Sequence, residues 1–348
     1  MRTGRTSLIV TLLAVVLAAC SGAGSSQPPD KLTLVSHDSF ADAVTDQTFA
    51  AFTEQTGIDV EVKAAGDAGS MVNQAILTKD NPLGDVLFGI DNTFLSRGLD
   101  EGLFVSYQPQ IDVNLVAGLD LDPEHRVTPI DYGDVCINYD IGWFQDEGLQ
   151  PPQTLADLAK PAYSGLLVVE DPASSSPGLA FLLATIDRYG NDWPGYWQSL
   201  VDNGVGVVSD WDTAYYSDFT RYGGDHPLVV SYASSPPAEV MFADPPVDTA
   251  PTAVMTDGCF RQIEFAGVLA NTDHPDAGGR LIDFMLSADF QSQIPTNWFV
   301  FPANADVSLP QVFADNTVIP EDPASLDPSV IDQSREQWIN QWHQVVTP

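Results

Sequence analysis

Basic residues are scarce in this chain. Lys and Arg number 13 of 348 residues against 48 Asp and Glu, a formal charge of −35. Such a surface repels nucleic-acid phosphates and anionic lipid headgroups, so no nucleic-acid partner is expected. It favours a cationic or neutral ligand, or it serves only solubility outside the cell or in salt. The acidic residues are scattered, and 44% of the chain is hydrophobic, which argues against disorder. No internal repeat is visible. Enzyme signatures are missing as well: there is no P-loop, no G-x-G-x-x-G after a strand, no G-x-S-x-G and no H-E-x-x-H. The five histidines, at 37, 125, 226, 274 and 343, show no metal-ligand spacing. His37-Asp38-Ser39 holds the residue types of a hydrolytic relay, but three sequence neighbours cannot form one, and Asp38 reads as a helix start. No catalysis, metal or cofactor is expected.

Cysteine occurs only at 20, 136 and 259. The first closes a distinctive leader. Arg2 and Arg5 precede an uncharged apolar run at 8–16, and Leu17-Ala18-Ala19-Cys20 follows. That run is too short to span a bilayer, which takes about 20 residues. Residues 1–20 therefore read as a signal peptide ending in a lipobox, with Cys20 as the lipidated first residue of the mature chain. The alternative is a plain secretory signal with an incidental cysteine. Residues 21–30 (SGAGSSQPPD) read as a flexible tether. This places the protein on the outer face of the cytoplasmic membrane, attached through Cys20. Cys136 and Cys259 then face an oxidising compartment, where they either pair or stay as two separately buried thiols.

Short apolar runs alternate with helical patterns. Strands are expected at 31–36, 58–63, 85–88, 166–169, 205–208, 228–232 and 260–268, and helices at 41–56, 69–78, 92–99, 177–189, 193–201, 277–286 and 335–346. Another helical stretch is expected after Trp211. This order predicts an α/β fold of two lobes joined by crossing strands. Ligands of such sheets lie beyond the carboxyl ends of the strands.

Aromatic residues on loop-like segments stand beside small hydroxyl residues. Trp211 follows a strand, Tyr232 runs into Ala233-Ser234-Ser235, and Trp298 lies in IPTNW. Ser174-Ser175-Ser176 and Asp67 each precede a helix, where hydroxyls and free N–H groups hold polar or anionic groups. Together these residues describe a site for a flat organic cation, since an aromatic face attracts a quaternary nitrogen by about 0.5–2 kcal/mol. Tyr215-Tyr216 offers a different reading, a ferric-iron receptor using paired tyrosinates.

Nine segments taken in order carry a resemblance: HDSF at 37–40, GDAGSMVNQ at 66–74, DVLFGIDN at 85–92, DYGDVCINYD at 131–140, DPASSSPGLAFLL at 171–183, SDWDTAYY at 209–216, LVVSYASSP at 228–236, IPTNWFVFPAN at 294–304 and REQWINQWHQVV at 335–346. The chain resembles the thiamine-binding periplasmic proteins, substrate receptors of bacterial thiamine ABC transporters. The resemblance implies the type 2 periplasmic-binding-protein fold, with lobe 1 at 31–133 and 258–298 and lobe 2 at 134–257 and 299–348. It implies thiamine, its monophosphate or its diphosphate as ligand, and an ABC permease and its ATPase as partners of a monomeric receptor. In the pocket, Asp67 and Ala68 match an Asp-Gly pair, Ser175 and Ser176 a Ser-Thr pair, and Trp211 and Trp298 two tryptophans. Tyr232, Ala233, Ser234 and Ser235 match a Tyr-Thr-Thr-Ser segment. The chain departs at His37 and Ala238, where tyrosines stand in the family, and at Ala68. The two cysteines also lie outside the pattern.

Overall fold

The computed structural model describes residues 29–346. The leader, Cys20 and nearly all of the 21–30 tether lie outside the described residues. Among the described residues no helix is long and apolar enough to cross a membrane.

The strands are β1 (Lys31–Ser36), β2 (Asp59–Ala64), β3 (Val86–Asp91), β4 (Thr128–Asp140), β5 (Leu167–Glu170), β6 (Gly206–Val208), β7 (Leu228–Tyr232), β8 (Thr252–Val268) and β9 (Phe301–Pro302). They form one mixed sheet in the order β2-β1-β3-β8-β4-β7-β5-β6, with β9 on β4. The two ends follow one plan. In the first, β2, β1 and β3 are parallel and β8 runs against β3; in the second, β6, β5 and β7 are parallel and β4 runs against β7. Parallel strands need crossovers, and helices supply them on both faces. β3 and β5 are buried along their whole length, as strands covered on both faces must be.

The antiparallel pair β4–β8 joins the two ends, and its ladder breaks in the middle. Val135 pairs with Phe260 but Ile137 pairs with Met255, so four residues of β8 oppose no regular partner. Cys136 and Cys259 sit at this break and are joined by a disulfide, with an S–S distance of 2.01 Å. A covalent tie across a sequence separation of 123 stabilises a domain by about 3–5 kcal/mol. Beside it Arg261 grips buried Asp134 with two nitrogens, at 2.6 and 3.0 Å.

Three expectations change. The 41–56 helix is two helices, Asp38–Ala43 and Ala50–Thr56. Val44 turns extended, and the Thr48 hydroxyl accepts the Thr45 N–H at 3.0 Å, closing a turn that competes with the helix. The second helix does stop at Gly57, whose φ of 73° suits a residue without Cβ. β4 is the second-longest strand, although no strand was expected there. The closing helix starts earlier, at Pro328, and packs Trp342 edge-on against Trp197 while Arg335 covers the Phe94 ring. It thereby touches both ends of the sheet.

Candidate functional site

A cleft of about 610 Å³ opens beyond the carboxyl ends of β1, β2 and β7, where His37, Asp67 and Tyr232 stand. Eight of the sequence-derived residues line it: His37, Asp67, Ala68, Ser176, Trp211, Tyr232, Ser235 and Trp298. Ser175, Ala233 and Ser234 do not. All three are fully buried behind the wall, and Ala233 packs on the disulfide. Trp193 lies outside the cleft, as a core residue of the helix Trp193–Asp202.

The aromatic walls are held from behind. Trp211 stacks on Tyr215 with ring centroids 5.0 Å apart and planes 19° apart, and its indole N–H donates to Ser231 at 3.0 Å. Ser231 in turn shares a hydrogen bond with Ser235. Tyr215 belongs to the π-helix Thr213–Asp218, which starts two residues after Trp211 and whose wide turn closes with the Phe219 N–H on the Ala214 carbonyl. Tyr232 lies flat over β4 because position 133 is glycine; a Cβ there would stand 2.8 Å from the ring. Its hydroxyl donates to Gln262 at 3.0 Å. Trp298 rests against Phe40 and Phe290. Ala238 also lines the cleft, and Phe242, four residues further on, lines it too and meets Phe299 edge-on at 5.6 Å. Phe299 adopts φ 60°, a region a bulky residue rarely occupies. An aromatic surface thus stands beside Ala238.

Acidic groups fill the gaps between the rings. Asp67 caps the helix Ala68–Leu77, accepting the Ala68 N–H at 2.6 Å, and reaches the Trp211 N–H at 3.4 Å. Asp212 accepts the Ser39 hydroxyl at 3.4 Å across the cleft. Burial and the neighbouring Asp42, Asp67 and Asp210 push its pKa up to about 6. Glu264 and Gln262 continue the face of β8 that carries core residues Ala266 and Val268. Sequence reading missed Asp212, Gln262 and Glu264. Polar residues at alternate positions of an otherwise apolar strand were the available signal for the last two.

His37 sits over Gly89, where a bulge lets β3 make room for its ring. Its Nδ1 accepts the Phe40 N–H and its Nε2 lies 3.3 Å from a Glu264 carboxylate oxygen. Burial lowers the His37 pKa, but Glu264, Asp67 and Asp212 outweigh it and the net shift is upward. Neither oxygen of buried Asp131 has a donor. Burial and the Glu264 charge hold its pKa well above the usual carboxylate range. Ser39 and His37 therefore face different carboxylates and form no nucleophile–base relay.

The paired tyrosines point apart. The Tyr215 hydroxyl is buried and donates to Glu239, which also binds Tyr222 and Arg221. Tyr216 is exposed at the cleft. Among the described residues no group of three or more His, Cys, Asp or Glu is placed to hold a metal ion.

An α/β fold with crossing strands and an aromatic, acidic cleft defines a soluble-ligand receptor of the type 2 periplasmic-binding-protein class. Residues 81–327 match the family model described as bacterial extracellular solute-binding protein, and the chain belongs to that family. A thiamine-binding periplasmic protein of Escherichia coli is 30% identical over 91% of this chain and 93% of its own. A solved periplasmic thiamin-binding protein superposes with a TM-score of 0.80 at 28% identity, covering 93% of this chain and 98% of the other. Iron-bound HitA from Pseudomonas aeruginosa shares the fold, with a TM-score of 0.74 at 19% identity over 91% and 99% of the two chains. These relatives are solute-binding proteins of the extracytoplasmic space rather than enzymes.

Proposed function

We propose that this protein is an extracytoplasmic receptor that captures thiamine and delivers it to an ABC permease and its ATPase. The observation that carries the reading is the cleft itself, in which Trp211, Tyr232 and Trp298 surround a space that also holds Asp67, Asp212 and Glu264. Thiamine has a flat pyrimidine and a permanently charged thiazolium. Aromatic faces attract such a cation, and fixed carboxylates balance its charge. The similarity to thiamine-binding relatives supports the same ligand. The ferric alternative is weaker, because the Tyr215 hydroxyl is already committed to Glu239.

Two lobes close on the ligand by bending at the broken ladder between β4 and β8. Of the proposed boundaries, after 133, 257 and 298, the first two lie beside that break and the third just before β9. Hydrogen bonds already reach across the cleft, with the Gly69 N–H on the Ser174 carbonyl at 3.0 Å. Titration with thiamine should quench or shift the fluorescence of Trp211 and Trp298 at micromolar concentration or below. A flat titration, with no heat in calorimetry, overturns the reading.

The lipid on Cys20 keeps the receptor near its permease and raises local concentration there. The full chain is expected to enter a detergent phase on cloud-point partition, and Cys20→Ala to remain in the aqueous phase. Identical partition of the two would remove the anchor from the proposal.

A further inference from the structure

We propose that Glu239 is a positioning residue of the receptor: through Tyr215 it holds Trp211 at the angle at which the indole meets a ligand. The inference rests on the thiamine reading for its binding readout, and it gives Tyr215 a role in the same site.

Glu239 is 3% exposed and does not line the cleft. It lies on the helix Pro236–Met241, next to Ala238, which does. One of its carboxyl oxygens accepts both the Tyr215 and the Tyr222 hydroxyl, each at 2.9 Å. The other accepts the Arg221 Nε–H at 3.0 Å. A buried carboxylate needs such donors, and these also fix where it stands. Burial and the Glu239 charge raise the Tyr215 pKa well above its ordinary value, so this hydroxyl keeps the proton it donates.

The cluster fixes the far end of Tyr215. The phenol ring is tied to the backbone at one end and to Glu239 at the other, and these two ends set where the ring lies. Trp211 stacks on that ring, with centroids 5.0 Å and planes 19° apart. Tyr216 meets the indole edge-on, at 5.5 Å and 82°. The indole N–H supplies a second hold, on Ser231. One hydrogen bond alone leaves a ring free to pivot about it, whereas a bond at the edge and a fixed plate behind one face do not. Both holds trace to one short segment. Ser231 shares a hydrogen bond with Ser235, and Glu239 stands four residues beyond Ser235. Tyr215 itself stands in a π-helix, a rare turn that occurs largely at functional sites.

If Glu239 served the fold alone, its loss would lower stability but act on binding independently of Trp211. A double-mutant cycle on the full chain, read by calorimetric titration with thiamine, separates the two roles. Tyr215→Phe keeps the ring and leaves Glu239 its bonds to Tyr222 and Arg221, so only the hydroxyl is removed. It is expected to weaken thiamine binding by about tenfold. Glu239→Ala should weaken it at least as much, and Glu239→Gln, which keeps an oxygen to accept the hydroxyls, should recover part of the loss. If Glu239→Ala does not fold, Tyr215→Phe decides. In the Trp211→Ala background Tyr215→Phe should cost no further affinity, because no indole is left to place. The near-ultraviolet circular dichroism that Trp211→Ala removes from the ligand-free chain should also shrink in Tyr215→Phe. Unchanged affinity in Tyr215→Phe, or an equal loss with and without Trp211, would overturn the positioning role and leave the thiamine reading intact. If the unaltered chain binds no thiamine, the thiamine reading falls instead, and the dichroism of the ligand-free variants still decides whether Tyr215 and Glu239 orient Trp211.

Discussion

Trp211→Ala is expected to weaken thiamine binding by about 10- to 100-fold with little loss of fold. The indole supplies one complete face of the cleft. Stacking on Tyr215 and the hydrogen bond to Ser231 hold it in a single orientation before the ligand arrives. Truncation removes the attraction between ring and cation, about 0.5–2 kcal/mol, and the apolar area that excludes water around it. It also leaves Ser231 without its indole donor, but Ser231 keeps Ser235 as a partner. Trp211 is half-buried and at the cleft rather than in the central core, so thermal unfolding should change little. Trp193→Phe is the matched control, because Trp193 is buried in the core away from the cleft. Calorimetric titration of both variants decides the point. An unchanged Kd in Trp211→Ala would show that the indole is no wall of the site.

Stability and thiamine affinity are expected to respond to pH in opposite directions. Burial pushes Asp91 up to about 6, with Ser176 and Thr93 offsetting only part of it. Asp212 also rises to about 6, and burial holds Asp131 and Glu170 well above their ordinary values. Each of these carboxyls binds its proton more tightly in the folded chain than in the unfolded one. Folding is therefore favoured while they are protonated, and that contribution is lost as pH rises from their ordinary values through the raised ones. For Asp91 the move from 3.8 to about 6 corresponds to about 3 kcal/mol. His37 acts in the same direction. Its raised pKa gives stability that is complete below its ordinary 6.5 and lost as pH climbs through the raised value. Glu264 is opposed: burial raises it, the His37 charge lowers it further, and its contribution is lost as pH falls below 4.5. The ligand-free chain should therefore melt highest at about pH 5 and at lower temperature by pH 8.

Affinity follows the charge of the cleft instead. The thiazolium is charged at every pH, while Asp212 ionises as pH passes its raised value. Thiamine should bind about tenfold more tightly at pH 7.5 than at pH 5. Thermal melts and calorimetry across that range measure both slopes. Affinity that rises toward acid pH would contradict the assignment of Asp212 as a charge partner, and Asp212→Asn should flatten the affinity profile.

Much of this protein was readable along the chain, and the residues show why. Helices such as Ser176–Tyr189 carry their own start and stop signals, and the edges of β1, β5 and β7 are marked by turns. β4 escaped because Pro129, Asp131, Gly133 and Asp134 interrupt its apolar pattern. Those residues make sense only against partners far away in sequence: Arg261 for Asp134, Glu264 for Asp131, and the Tyr232 ring over Gly133. Asp212 was missed although it adjoins Trp211, because nothing local distinguishes it from the other acidic surface residues. Ser175 and Ser234 are hydroxyls beside cleft-lining neighbours, yet packing buries both fully behind the wall.

The amino-acid sequence by itself determined the α/β class of fold and the acidic character of the protein. Those properties follow from composition and from local periodicity, which need no partner; the aromatic segments of the cleft were named by the family resemblance. Tertiary structure alone decided that Cys136 and Cys259 lie at the break between β4 and β8, that Tyr215 spends its hydroxyl on Glu239, and that no basic residue among the described ones reaches the cleft. These are facts of distance between residues tens to hundreds of positions apart. Only packing the two ends of the sheet together brings such groups within a few ångströms, and at that range burial and charge set their chemistry.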